Sequence, residues 1–211
     1  SKIPKPMEKL HIVSAFLVDQ CLSIGQEKVD SKENEIIAIP RLLDSLELHE
    51  GDVVTIDAIG TQKDIVSKVI EKQANYLLEV KGNQPSLMES IQDAMEAVRR
   101  FRECEYVKEF TERVESHGLI VNRTCRTCSD IYFLGKIFKE WEGIKTFGYI
   151  DNWRIDKATG EDVTERHYFI TSLENDPKRI LKFKRKHWGI ENGLHWQLDV
   201  TFNEDDDRKR K

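Results

Sequence analysis

A carboxylate stands on the apolar side of a predicted helix near the end of the chain. At helical spacing Glu191 shares a face with two imidazoles and three apolar side chains: His187, His195, Trp188, Leu194 and Leu198. A carboxylate in such surroundings loses hydration, so it needs an ion-pair partner, a proton or a metal ion. The residues alone leave two interpretations equally open, a Glu satisfied by a neighbouring Arg or His and a Glu that binds a metal.

A second carboxylate, Asp57, directly follows Val53–Ile56, a β-branched run typical of a strand buried on both faces. In open α/β sheets the carboxyl ends of the strands face the functional crevice. Gly60 would let the backbone turn tightly there and would leave room for a ligand. An Asp that begins a turn, or that caps a helix starting at Thr61, is the more frequent structure for such a residue.

Several uncommon short sequence motifs follow one another along the chain. They are HIVSAF at residues 11–16, NEIIAIP at 34–40, TIDAIGTQ at 55–62, KGNQ at 81–84 and a long C-terminal signature that begins HWGIENGLHW at 187. In this order they resemble bacterial insertion-sequence transposases with a DDE catalytic core, most closely the subgroup of H-repeat-associated proteins. The resemblance covers nearly the whole chain.

The resemblance implies an α/β fold of the ribonuclease H-like kind, a mixed sheet flanked by helices, with a β-rich insertion. It implies that Asp57 and Glu191 are the second aspartate and the glutamate of the catalytic carboxylates. Such residues would bind two Mg²⁺ or Mn²⁺ ions for phosphoryl transfer, which nicks a strand with water and then joins a 3′-hydroxyl to target DNA. The implied partners are transposon-end and target DNA, and a homodimer is expected in the active complex.

The chain departs from the family pattern in two places. The family's first aspartate stands in an Asp-Gly-Lys context before the segment that resembles residues 11–16, and the chain begins after it, so we expect the chain alone to be an inactive enzyme. Related transposases also carry Arg four residues before the Glu and Lys seven residues after it, where this chain has His187 and Leu198.

The residues that we expect to contact DNA are Lys81, Asn83, Lys184, Arg185, His187, Trp188, Asn192 and His195.

The composition is that of a soluble globular protein, with 39% hydrophobic and 34% charged residues. Apolar runs are too short to cross a bilayer and no secretory signal begins the chain, which favours a cytoplasmic, nucleoid-associated protein without membrane contact. The net charge of −5 excludes a uniformly basic nucleic-acid binder. A basic run just before Glu191 nevertheless favours a phosphate-facing role over a solvated helix face. That run contains Lys178, Arg179, Lys182, Lys184, Arg185 and Lys186.

Cys125 and Cys128 form a lone C-x-x-C motif. A structural zinc ion needs four ligands, and no second pair with suitable spacing follows. We therefore expect these thiols to lie in a strand or turn without a metal.

Hydrophobic periodicity divides the chain into three regions. Residues 1–104 are predicted to form a hairpin and then alternating helices and strands, with Pro40 interrupting the first helix or standing at a new first turn, and with Thr61 as the N-cap of the second helix. The resemblance makes this region the first part of a catalytic core that lacks its first strand. Residues 105–173 alternate as antiparallel strands around a short helical piece, as expected of the β-rich insertion. Residues 174–211 should form the C-terminal helix that carries Glu191, with Pro177 at its first position.

Two other functions stay open. One is a plain metal-dependent nuclease of the same fold, which strand transfer on a matched transposon end would distinguish from a transposase. The other is a catalytically silent DNA-binding or interaction protein derived from a transposase, which a missing upstream Asp-Gly-Lys would favour.

Overall fold

The computed structural model describes residues 11–20, 22–29, 34–99, 105–116 and 119–190. The strands are β1 (His11–Leu17), β2 (Leu22–Val29), β3 (Val53–Ile56), β4 (Asn75–Val80), β5 (Val107–Ser116), β6 (Leu119–Cys128), β7 (Thr146–Asp156) and β8 (Asp162–Thr171). The helices are α1 (Glu35–Ser45), α2 (Lys63–Glu71), α3 (Pro85–Arg99) and α4 (Pro177–Ile190). None of the described helices is long and apolar enough to cross a membrane.

Six strands form one mixed sheet in the order β3-β4-β8-β7-β6-β5. β3 and β4 are parallel, as expected of a strand–helix–strand unit, and every other neighbouring pair is antiparallel. The antiparallel strands predicted within residues 105–173 are therefore confirmed. They continue the sheet of β3 and β4 through the β4–β8 pairing and do not stand apart from it.

The two faces of this sheet carry different helices. Side chains alternate along a strand, so Tyr76, Leu78 and Val80 of β4 face the apolar core that they share with α1, α2 and α3. Leu77 belongs to a second apolar cluster, which contains residues of α4, on the opposite face. Glu79 shares that opposite face and is buried. The sheet is thus covered by helices on both sides, and α4 lies on the side of Glu79.

Helix α4 crosses its face of the sheet from β5 towards β3. Near its beginning, the Lys178 ammonium lies 5.7 Å from the ring of Phe110 in β5. Within the next turn, Ile180 and Leu181 are buried in the cluster that contains Leu77. In its second half, Lys184 contacts Glu79 of β4 and His187 contacts Thr55 of β3. The helix is therefore anchored by apolar contacts in its first half and reaches the edge strand β3 with its second half.

Strands β1 and β2 form a separate two-stranded antiparallel sheet. This hairpin packs on the main core through Val13. Strand β3 lies at one edge of the six-stranded sheet, and among the described residues only β4 pairs with it.

The structure differs from the sequence-based prediction in two local elements. Pro40 does not interrupt α1, which is a single helix with Pro40 inside it. Burial of Ala38, Ile39 and Leu42 offsets the helix hydrogen bond that proline removes. The helical piece predicted near residues 130–140 is a 3₁₀ segment, Ile131–Glu140, kinked at Gly135 with φ of 65°.

Candidate active site at the end of strand β3

Asp57 lies where strand β3 ends and opens the 3₁₀ turn Ala58–Gly60. Its carboxylate makes no capping hydrogen bond to this turn, and its side chain is 61% exposed. Gly60 is required because a side chain would not fit at this position, and not because of a special backbone angle. A Cβ at that position would lie 2.3 Å from Cγ2 of Ile56, so only glycine lets the turn fold back onto the strand. The turn thus holds the Asp57 carboxylate at the edge of the sheet, turned towards solvent.

The C-terminal end of α4 meets Asp57 although the two are far apart in sequence. Nε2 of His187 lies 3.2 Å from Oδ1 of Asp57, and Nδ1 of His187 lies 3.1 Å from Oγ1 of Thr55. The His187 side chain is only 12% exposed. The structure therefore brings together two residues that the sequence analysis selected, Asp57 and His187, across 130 positions.

One turn before His187, the helix is held by a buried ion pair. Nζ of Lys184 lies 2.6 Å from Oε2 of Glu79, and both side chains are almost completely buried. Oε1 of Glu79 lies 2.9 Å from Nδ1 of His167 in β8 and 3.1 Å from Nζ of Lys81. Burial opposes ionisation of Glu79, but hydrogen bonds and charges from His167 and Lys184 outweigh it and hold the pKa of Glu79 well below its usual range.

Glu79 is not among the site residues predicted from the sequence. A charge inside the apolar strand β4 was the available signal, because a buried carboxylate must be compensated by a partner. The partner, Lys184, is 105 positions away, which no local pattern can indicate. The structure also departs from the expectation that Lys184 contacts DNA, since its ammonium is buried against Glu79.

The turn after β4 fastens the segment that follows Asp57. Nδ2 of Asn83 donates to the carbonyl oxygen of Ala58 at 2.6 Å, and Nε2 of Gln84 donates to that of Thr61 at 2.8 Å. Thr61 was expected to cap α2, but Gln62 holds that position. The buried Thr61 hydroxyl instead donates to the carbonyl oxygen of Glu79 at 2.6 Å. The amide of Asn83, expected to contact DNA, is thus engaged within the protein.

Much of the basic run in α4 also pairs within the chain. Arg185 donates to Glu112 of β5 at 2.9 Å, and Lys186 pairs with Asp19 beside the hairpin. The ring of Trp188 lies 5.0 Å from that of His167, centroid to centroid. The interpretation of the run as a phosphate-facing surface is therefore too simple, because several of its charges bind α4 to neighbouring elements.

Three of the selected residues, Glu191, Asn192 and His195, lie outside the described part of the chain. Glu191 directly follows Ile190, the last residue of α4. Convergence of Glu191 with Asp57 stays a prediction.

The described residues contain no group of three or more His, Cys, Asp or Glu side chains that could hold a metal ion by themselves. Cys125 and Cys128 belong to different apolar clusters on opposite faces of the sheet, so their thiols do not form a chelating pair. Burial also raises the pKa of the Cys125 thiol, which disfavours the thiolate that zinc requires. The carboxylate of Asp57 is, by contrast, an accessible hard oxygen donor of the kind that Mg²⁺ and Mn²⁺ bind.

An accessible carboxylate thus ends a parallel strand and is met by the last described turn of a helix from across an α/β sheet. Comparison with protein families assigns the class. The chain belongs to the family described as the transposase DDE domain, whose model matches residues 7–211.

Individual relatives agree with this assignment. The chain is 39% identical over 211 residues to YncI of Escherichia coli O157:H7, which its name calls a candidate transposase. It is 34% identical over 204 residues to YhhI of Escherichia coli K12, named an H repeat-associated candidate transposase, and 35% identical to YbfL of the same strain. These alignments each cover 96% of this chain but only 51% of YncI and 53% of YhhI and YbfL. The chain therefore spans about half the length of these relatives.

Proposed function

We propose that this chain is part of the catalytic domain of a DNA transposase that nicks and joins DNA strands at insertion-sequence ends by metal-dependent phosphoryl transfer. The contact between His187 of α4 and Asp57 at the end of β3 is the observation that carries the proposal. It places the last described turn of α4 beside the carboxylate that the family resemblance marks as the second catalytic aspartate. Membership of the transposase DDE family supports the same chemistry.

Glu191 is the proposed second catalytic carboxylate of this chain. It follows His187 by four positions, and residues four apart lie on one face of an α-helix. Continuation of α4 by a single residue would therefore carry Glu191 on the face that already contacts Asp57. The two carboxylates would then lie on the same side of the sheet, as a shared metal site requires.

Asp57 and Glu191 would hold the metal ions, together with an aspartate supplied by a segment that would precede Ser1. Bound Mg²⁺ or Mn²⁺ would activate the attacking oxygen and stabilise the leaving oxygen of an in-line displacement. Lys81, with its side chain 60% exposed beside Glu79, and Arg185 on the outer side of α4 are the proposed phosphate contacts. His187, Trp188, Asn192 and His195 are proposed to lie at the DNA-facing side of the cleft, and a homodimer is proposed for the active complex.

We further propose that the complete fold is ribonuclease H-like. The β1–β2 hairpin and the six-stranded sheet share one core, and β3 has an outer edge that no described strand pairs with. A strand from the preceding part of the protein, inserted between the hairpin and β3, would join the two sheets. That strand would bring the first catalytic aspartate next to Asp57. Residues 105–173 would then be the β-rich insertion between the core elements.

Nicking of transposon-end DNA in the presence of Mn²⁺ tests the function. The protein tested should include the segment that precedes Ser1, in which the proposal expects an Asp-Gly-Lys motif. Asp57→Asn and Glu191→Gln should each lower the rate by about 10³-fold or more, because metal ions contribute several kcal/mol to the transition state and each 1.36 kcal/mol is tenfold. Asp52→Asn is the matched control, since Asp52 is a half-exposed carboxylate just before β3, at the opposite end of that strand.

Unchanged nicking in both Asp57→Asn and Glu191→Gln would refute the assignment of the active site. A protein that binds DNA but does not nick it would be the silent transposase relative. Nicking without strand transfer would identify a nuclease.

A further inference from the structure

The segment that leaves strand β4, residues 79–84, contacts both sides of the proposed active site. We infer that this segment, through Glu79 and Asn83, is the positioning element that sets helix α4 relative to the turn after Asp57. The inference rests on the proposed function, because it concerns the placement of the proposed metal-binding residues.

The first arm of this element acts on α4. Glu79 projects from the sheet under the helix and pairs with Lys184 at 2.6 Å. His167 holds the second carboxylate oxygen at 2.9 Å and therefore fixes the orientation of the carboxyl plane. This short buried ion pair can form at only one position and one rotation of helix α4 relative to the sheet. The apolar contacts of Ile180 and Leu181 are less directional. Lys184 precedes His187 by three positions, so fixing Lys184 fixes the face on which His187 lies.

The second arm acts on the turn that follows Asp57. Asn83 and Gln84 donate side-chain amide hydrogens to the carbonyl oxygens of Ala58 and Thr61. Thr61 in turn donates to the backbone carbonyl of Glu79 itself. Both arms therefore begin within six consecutive residues, and a displacement of this segment would move the turn and the helix relative to each other.

The two arms account for the polar side chains of residues 79–84, which packing of the apolar core alone does not require. At the opposite end of strand β4, side-chain hydrogen bonds join Asn75 and Tyr76 to Thr171 and Ser172, at and just after the end of the neighbouring strand β8, and join the Tyr76 hydroxyl to the carbonyl oxygen of Glu142. Short side-chain bonds to two other elements occur at the end of the strand near Asp57. Side chains that orient metal ligands from one shell further out typically change metal affinity or activity roughly 10–100-fold when removed.

Cross-linking measures the placement without using enzyme activity. Asp57→Cys and His187→Cys are combined with Cys21→Ser and Cys104→Ser, while the buried thiols of Cys125 and Cys128 are left in place. The rate of reaction with a short bifunctional maleimide reports how often positions 57 and 187 are adjacent. We expect Glu79→Gln and Asn83→Ala each to lower this rate by about tenfold. The controls Glu174→Gln, in an exposed pair with Lys145, and Asn75→Ala should leave it unchanged.

Metal dependence gives a second measurement in the complete protein with Asp57 and His187 intact. The Mn²⁺ concentration for half-maximal nicking should rise roughly 10–100-fold in Glu79→Gln and in Asn83→Ala. The two controls should not change it. Because Asn83 is exposed, Asn83→Ala should fold even if Glu79→Gln does not.

A double variant separates positioning from simple support of the fold. Glu79→Gln/Lys184→Met replaces the buried pair without leaving a buried charge, so its melting temperature should recover towards that of the unsubstituted protein. The cross-linking rate should stay low, because the directional contact is gone. Recovery of both quantities, or cross-linking unaffected by Glu79→Gln and Asn83→Ala, would overturn the inference. Loss of nicking in Asp57→Asn would be unaffected by that result, so the proposed function is judged separately.

Discussion

The two halves of helix α4 are attached to the same sheet by different kinds of contact. The first half buries Ile180 and Leu181 against Leu77 and its neighbours, an apolar contact that is strong but weakly directional. The second half places Lys184 on Glu79 and His187 on Asp57, polar contacts with defined distances. The buried apolar residues that hold the helix on the sheet thus lie in its first half, with Trp188 adding to them, and the directional contacts that place its end lie in the second half.

The largest expected effects compare one substitution in each half of α4. Ile180→Ala should lower the free energy of unfolding by about 2–5 kcal/mol, because it removes a fully buried side chain. Glu79→Gln should lower it by about 3–5 kcal/mol, because it leaves the Lys184 ammonium buried without its carboxylate. Urea unfolding measures both. At temperatures where both variants are folded, only Glu79→Gln should slow cross-linking between positions 57 and 187. Equal slowing by Ile180→Ala would remove the distinction between the two halves.

A smaller effect concerns pH. The pKa of Glu79 is lowered in the folded protein, whereas a Glu in the unfolded chain titrates near about 4.3. The stabilisation from ionised Glu79 is therefore fully present above that value and is lost as the pH falls towards the folded pKa. The difference in unfolding free energy between the unsubstituted protein and Glu79→Gln should shrink as the pH falls below about 4. A difference that grows on acidification would contradict the ionised state of Glu79.

The smallest effect on stability is expected at the exposed side of α4. Arg185→Ala breaks a half-exposed pair with Glu112 and should change the unfolding free energy by less than about 1 kcal/mol. If Arg185 contacts a DNA phosphate, the same substitution should reduce the slope of log affinity against log salt by about 1. Fluorescence anisotropy at several salt concentrations measures this slope. An unchanged slope would exclude Arg185 as a phosphate contact.

The sequence predicted elements whose signals are local. The β-branched run before Asp57, the periodic face of α2 and the apolar β4 indicated the parallel pair, and the structure confirms it. The role of Thr61 was predicted wrongly, because capping is a local rule and the hydroxyl finds a nonlocal acceptor at Glu79. The partnership of Glu79 with Lys184 depends on how α4 crosses the sheet. Only the assembled fold determines that crossing, so the sequence could indicate a need for a partner but not which partner.

The outer edge of β3, with which no described strand pairs, has a practical consequence for handling the protein. Its four residues, Val53, Val54, Thr55 and Ile56, are β-branched and carry no charge. An unpaired strand edge of this composition can form hydrogen bonds with a strand of another chain and so promotes association. Strand β5, at the opposite edge, carries Lys108, Glu109, Glu112 and Arg113, which discourage such pairing. Expressed without a preceding segment, this chain should self-associate through β3. Because Val54 packs against the main core, a charge at that position would not be tolerated, and covering this edge with a preceding segment is the direct way to keep the chain dispersed.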